Sequence, residues 1–155
     1  MKKSILNSLL SLLSDYSLDG YIVPKNDSFF TEQVNHDRLK LVSNFSGSAG
    51  FAIIFHKKNY LFVDNRYTIQ AKIESGKNFK ILEIPKKLPK DVLRDITLGV
   101  DPKIITSSML ENLFHKRILI KKIDLNLIDL IVPQKSHKKK PFFKLNDKIV
   151  GENKS

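Results

Sequence analysis

A mixed α/β domain in three layers, a β-sheet with helices on both faces, is the fold class the sequence predicts. Two observations carry that expectation. Short apolar runs of strand length alternate with segments of helical spacing along nearly the whole chain, as crossover connections require. One pair of runs, "FAIIF" and "YLFVD", is separated only by the polar turn "HKKN", which adds an antiparallel hairpin and makes the sheet mixed. At 155 residues and 41% apolar composition, the chain is long enough to bury a core around such a sheet.

The elements follow in order. Ile5, Leu9, Leu12, Leu13 and Tyr16 recur at helical spacing and predict an amphipathic opening helix. "DGYIVP" predicts a short strand, with Gly20 at the helix exit and Pro24 closing it. "KNDSFFTEQVNH" is polar loop, and "DRLKLVSNF" is a short helix capped near His36 or Asp37. The hairpin comes next. "RYTIQAKIES" then places Ile69 and Ile73 one turn apart and ends before Gly76, as a helix does. "FKILEI" is a strand stopped by Pro85, "PKDVLRDI" a short helix and "TLGVDP" a short strand. "TSSMLENLFHK" opens on a Ser/Thr cap, with Glu111 three residues after Ser108 as in a capping box. "RILIKKI" is a strand and "DLNLIDLIV" a short helical turn. Apolar periodicity stops at Pro133, so residues 1–133 form the α/β domain and 134–155 a basic linker or tail.

Composition excludes several functions. With no cysteine there is no disulfide, thiolate nucleophile or Cys-ligated metal, which suits a reducing compartment. Lys2 and Lys3 before an apolar run imitate a signal peptide, but Asn7, Ser8 and Ser11 interrupt it, and Asp15 and Asp19 stand where a cleavage site belongs. No run is long and apolar enough to span a bilayer, so a cytoplasmic location without membrane attachment is expected. The formal charge of +11 permits attraction to nucleic acid. Much of it sits in the late run "KSHKKKPFFK", and charge alone reads no sequence, so specific nucleic-acid binding is not expected.

The glycine-rich "SGSAG" fits no catalytic loop. A phosphate-binding loop needs a Lys-Ser/Thr pair opening a helix, whereas strand-like "FAIIF" follows Gly50. A nucleophile elbow has different spacing around Ser48 and the reverse element order. Gly47 and Gly50 read more simply as turn residues allowing close backbone approach before a buried strand. His36, His56, His115 and His137 are scattered and form no ligand pair. Asp64 and Arg66 sit where a strand leads into a helix. They serve there either as a local ion pair capping that helix or as a ligand contact.

The ordered stretches "LDGYIVPKND", "DRLKLVSNFSGSAGFAIIF", "LFVDNRYTIQAK", "LGVDPKIIT", "NLIDLIV" and "KIVGENKS" resemble the N-terminal, creatinase/prolidase-like domain of Xaa-Pro aminopeptidases. The family pattern is close to "DAYIVP", "GSAG", "DGRY" followed by "QA", "VGVDP" and "NLVD", and the resemblance covers nearly the whole chain. It implies a ribonuclease-H-like layout, and a likeness to "YAGE" near Gly151 implies the long, three-domain form. Asn65 stands where the family usually has glycine, and the segment between Pro85 and Gly99 is short, which implies a trimmed helix.

In that family the chemistry belongs to a C-terminal pita-bread domain. There Asp, Asp, His, Glu and Glu hold two metal ions, manganese or zinc, that activate a water. That ligand set is missing from this sequence, so no catalytic residue, metal site or cofactor is expected in the chain itself. By resemblance Arg66 is a peptide-binding residue, supported by Asp64, Tyr67, Gly47, Ser48 and Gly50. The implied partners are a separately encoded catalytic chain and a second copy in a homodimer. Two functions therefore stand side by side: a non-catalytic domain of a split or truncated peptidase, and a stand-alone basic module for nucleic acid or another anion. A self-sufficient hydrolase is the weakest reading, because no nucleophile, metal set or acid/base pair assembles.

Overall fold

The computed structural model of the chain describes residues 4–31 and 34–134. Its centre is a six-stranded sheet: β1 (Gly20–Pro24), β2 (Gly50–Phe55), β3 (Asn59–Asp64), β4 (Phe79–Ile84), β5 (Thr97–Val100) and β6 (Leu119–Lys122), in the order β4-β3-β2-β1-β5-β6. β2 runs antiparallel to β1 and β3, while the β1–β5, β5–β6 and β3–β4 pairs are parallel. Five strands thus point one way and β2 the other. The carboxyl ends of the five and the start of β2 share one edge of the sheet, where Phe51 pairs with both Pro24 and Phe62, and Gly50 with Val63.

Alternate side chains build a core on each face, as the period of two in a strand requires. Tyr21, Val23, Ala52, Ile54, Leu61 and Val63 face one layer, closed by the helices α1 (Ile5–Asp15), α2 (Arg38–Ser43), α3 (Thr68–Ser75) and α6 (Leu127–Ile131). Ile22, Phe51, Ile53, Phe62 and Leu98 face the other, closed by α4 (Pro89–Val92) and α5 (Ser107–Leu113). An isolated helix as short as α1 is marginal in water. Burial of Leu9 and Leu13, at roughly 1.5–3 kcal/mol per side chain, fixes it to the sheet, and Ser4 caps it by accepting from the Asn7 N–H. The mixed three-layer fold expected from the sequence is present.

Several local expectations are corrected. Gly20 is not the exit of α1. The left-handed turn falls at Ser17 (φ 53°), and Gly20 lies inside β1, where a Cβ would meet the Ile54 carbonyl at 2.8 Å. The cap of α5 is Thr106, whose hydroxyl accepts from the Met109 N–H, so the Ser108–Glu111 box does not form. α4 stops at Val92 because Leu93 turns extended to enter the core. Asp37 caps α2, one of the two residues expected there. α3 forms, but Ala71 and Ser75 face the sheet while Ile69 and Ile73 point to solvent. The basic segment expected as a tail lies, apart from Gln134, outside the described residues.

A buried polar network ties the first layer together. Arg38 donates from Nε and Nη2 to the two oxygens of Asp129 at 2.7 and 2.8 Å, joining α2 to α6. Burial disfavours the Arg38 cation, but the Asp129 hydrogen bonds and charge outweigh it, so the guanidinium holds its proton more tightly than usual. Asn126 donates to Asp101 at 2.9 Å and caps α6, and the Leu127 N–H approaches the Tyr21 hydroxyl at 3.4 Å. His36 Nε2 lies 3.2 Å from Asp129 but is not aligned for a hydrogen bond, so Arg38 is the principal partner.

Candidate functional site

The sheet edge collects the residues that the sequence singles out. β3 ends at Asp64, and its carboxylate accepts from the Arg66 backbone N–H at 3.0 Å and from Arg66 Nε at 2.8 Å. These bonds hold the carboxyl below its ordinary range, the side-chain bond being the larger cause. They also cap the 3₁₀ turn Asn65–Tyr67 that leads into α3, so the local ion-pair role of Asp64 is real. The Arg66 side chain remains 69% exposed, and its guanidinium carbon lies 5.5 Å from the Tyr67 ring centroid. Tyr67 in turn places its hydroxyl 2.8 Å from Ser48 Oγ and its ring edge-on to buried Phe45 at 5.9 Å. Tyr67 therefore joins the "SGSAG" turn to Arg66.

The two glycines have steric reasons. A Cβ on Gly47 would sit 2.3 Å from Cζ of Phe45, which is fully buried. Gly50 has φ +150° and would meet the Phe62 carbonyl at 2.8 Å. The turn is thus a close-packed corner whose half-buried Ser48 and Tyr67 lead out to exposed Arg66, together a Ser–Tyr–Arg platform.

Two partners of this corner were not singled out by the sequence. Glu74 accepts from the Ser46 N–H and hydroxyl, both at 2.7 Å, and Gln70 donates to Ser46 Oγ at 2.9 Å and to Glu74 at 3.0 Å. Burial pushes the Glu74 carboxyl up, but the bonds from Ser46 and Gln70 outweigh it and hold it below its ordinary range. Gln70 and Glu74 stand four residues apart on α3, a spacing that places them on one side of the helix. That spacing was the available signal.

Beside Ser48 a groove of about 450 Å³ opens between the sheet edge and α5, with Phe51, Ile84, Met109 and Leu113 along it and Lys25 and Asn26 at its rim. Lys25 is paired with Asp37, and its backbone N–H donates to the Gly50 carbonyl at 3.1 Å. Asn26 donates to the Ile104 carbonyl at 2.8 Å. A larger hollow of about 580 Å³ lies at the opposite sheet edge, around Asp19, Phe55 and His56. It contains none of the residues just described, so its size does not make it the better site.

The chemistry open to the platform is recognition. Ser48 has a phenol rather than an imidazole beside it, and His115 accepts from the Arg117 N–H in a loop. His137 lies outside the described residues. Among the described residues no three His, Asp or Glu side chains converge as a metal site would require, so the dinuclear centre implied by the resemblance does not fit them. The Arg66 guanidinium is of a type that can hold a carboxylate or carbonyl oxygen. Among the described residues no helix is long and apolar enough to cross a membrane.

Residues 6–123 match the family of creatinase/prolidase N-terminal domains. A probable Xaa-Pro aminopeptidase P of Coprinopsis cinerea is 29% identical over 95% of this chain, which covers 26% of that protein. The chain spans about a quarter of the length of such relatives. Among solved structures, the X-prolyl aminopeptidase of Caenorhabditis elegans, a cytosolic enzyme with a di-nuclear active site, superposes with a TM-score of 0.71 at 24% identity, over 86% of this chain and 26% of that one. The N-terminal domain of a cytoplasmic peptidase from Mycobacterium tuberculosis gives 0.64 at 16% identity, over 84% of this chain and 99% of that domain. At these identities the two structures speak for the fold.

Proposed function

The chain belongs to the family of creatinase/prolidase N-terminal domains, and from that premise we propose that it is the non-catalytic part of a Xaa-Pro aminopeptidase. It shapes the peptide site for the catalytic portion. One observation carries the reading: the Ser48–Tyr67–Arg66 platform stands at the sheet edge beside an apolar groove, built to present a cation and not to break a bond. Manganese or zinc would be held by the catalytic portion, with no residue of this chain as ligand. The cytosolic relative and the cysteine-free composition support a cytoplasmic location.

The pure chain, with or without Mn²⁺ or Zn²⁺, is expected to release no N-terminal residue from Xaa-Pro peptides. Added to the catalytic portion of a Xaa-Pro aminopeptidase that lacks its own N-terminal domain, it is expected to raise cleavage. Metal-dependent cleavage by the chain alone would overturn the non-catalytic reading, and no gain on mixing would overturn the partnership.

A further inference from the structure

Phe30 lies in the loop between β1 and α2 with φ +59°, in the left-handed region where a bulky side chain is a strained outlier. A turn built on Asp27 holds it there. The Asp27 carboxylate accepts from the Phe29 and Thr31 N–H groups at 2.9 and 3.1 Å and from the Thr31 hydroxyl at 2.8 Å. The Phe30 N–H donates to the Asp27 carbonyl at 3.1 Å. Core packing does not explain the strain, because Phe30 is 47% exposed and belongs to neither core. Residues held this way cluster where ligands are gripped.

Phe30 lines the groove of about 450 Å³ beside Ser48, a volume in the range of small-ligand clefts. The chemistry of that groove selects its occupant. Phe30, Phe51, Ile84, Met109 and Leu113 make it apolar. Among the described residues along it the only charge is Lys25, and Asp37 neutralises it. Asn26 already donates to the Asp27 and Ile104 carbonyls. No charge is left to attract an ionic group, and burying one there would be costly. Ser48 belongs both to the groove and to the hydrogen bond with Tyr67, so the groove is continuous with the platform.

We propose that the groove takes a large apolar side chain of the bound peptide, such as leucine, and that Phe30 sets this preference. The inference rests on the peptide-shaping function above and names the class of peptide it serves.

The chain has two methionines, and one of them, Met109, lines the groove, so methyl NMR of the ¹³C-methionine-labelled full chain reports its occupancy. Met109→Leu identifies the signal. In titrations to about 10 mM, the range of weak binding, Ala-Pro-Leu amide or Leu-Pro-Ala amide is expected to shift the Met109 methyl. Ala-Pro-Asp and Asp-Pro-Ala amides are expected to bind there at least roughly tenfold more weakly. Phe30→Gly is expected to cost the leucine peptide about tenfold in affinity while the unfolding temperature stays or rises, because glycine accepts the left-handed backbone. A merely structural Phe30 would instead lose stability and leave the preference alone. A silent Met109, equal binding of leucine and aspartate peptides, or a preference unchanged in Phe30→Gly would overturn the proposal. No peptidase enters this measurement. A silent Met109 with cleavage raised on mixing overturns the groove alone, and a responsive Met109 without that gain overturns the partnership alone.

Discussion

Replacing Asp129 with alanine removes the only carboxylate hydrogen-bonded to Arg38 among the described residues and leaves a guanidinium that is 9% exposed with no hydrogen-bonded counter-charge, only the weaker field of Asp101. Breaking a buried pair on one side typically costs about 3–5 kcal/mol, because the remaining charge stays desolvated. Asp129 itself is 26% exposed, so water can partly replace it, which puts the expected loss near the lower end, about 3 kcal/mol. Arg38→Met behaves differently. It keeps an apolar stem in the α2–α6 contact and leaves behind a carboxylate that already reaches solvent and accepts from Gln134, so a loss of about 1–2 kcal/mol is expected. The assay is urea unfolding followed by circular dichroism, since the chain has no tryptophan. At about 2 kcal/mol per molar urea, Asp129→Ala should lower the midpoint by roughly 1.5 M. An Asp129→Ala loss below about 1 kcal/mol, or one smaller than that of Arg38→Met, would refute the buried-charge argument.

Other consequences are open to measurement. Gly47→Ala must displace the Phe45 ring, so a loss of about 1–3 kcal/mol is expected in the same unfolding assay. Ser48→Ala and Tyr67→Phe each remove one end of the same hydrogen bond, and a double-mutant cycle should give a coupling of about 1 kcal/mol. Glu74 has a folded-state pKa below its unfolded one, so its contribution is complete above the ordinary glutamate range and is lost as the pH falls through and below that range. Glu74→Gln should therefore flatten the acid limb of a thermal-stability profile, though not abolish it, because Asp27 and Asp64 are lowered as well.

Strands and layers were legible in the sequence because their signal is local. "FAIIF" and "YLFVD" carry enough apolar side chains to be buried on both faces, and a short polar turn leaves them one way to pair. The periodicity of α3 was legible too, but not its orientation. Ile69 and Ile73 mark a helical stripe, while small Ala71 and Ser75 let the other side approach the sheet, and Gln70 and Glu74 anchor the helix to Ser46. The cap of α5 was misplaced by two residues because Thr106 and Ser108 both fit the chemistry and only the backbone path chooses. The Arg38–Asp129 pair spans 91 residues and leaves no local trace. At the candidate site the sequence named Ser48, Asp64, Arg66 and Tyr67, but the groove beside them depends on α5 and β4, distant in the chain, and could not be read.

The most direct test of the functional account is Xaa-Pro cleavage by the catalytic portion of a Xaa-Pro aminopeptidase mixed with this chain, wild type against Arg66→Ala. Arg66 is exposed and lies outside both cores, so the variant should fold normally. Losing a charge-assisted hydrogen bond to the peptide costs about 1.5–3 kcal/mol, so kcat/KM in the mixture should fall by roughly 10- to 150-fold. Equal activity for the two chains would show that the platform does not touch the peptide, and the claim that this domain shapes the site would be contradicted.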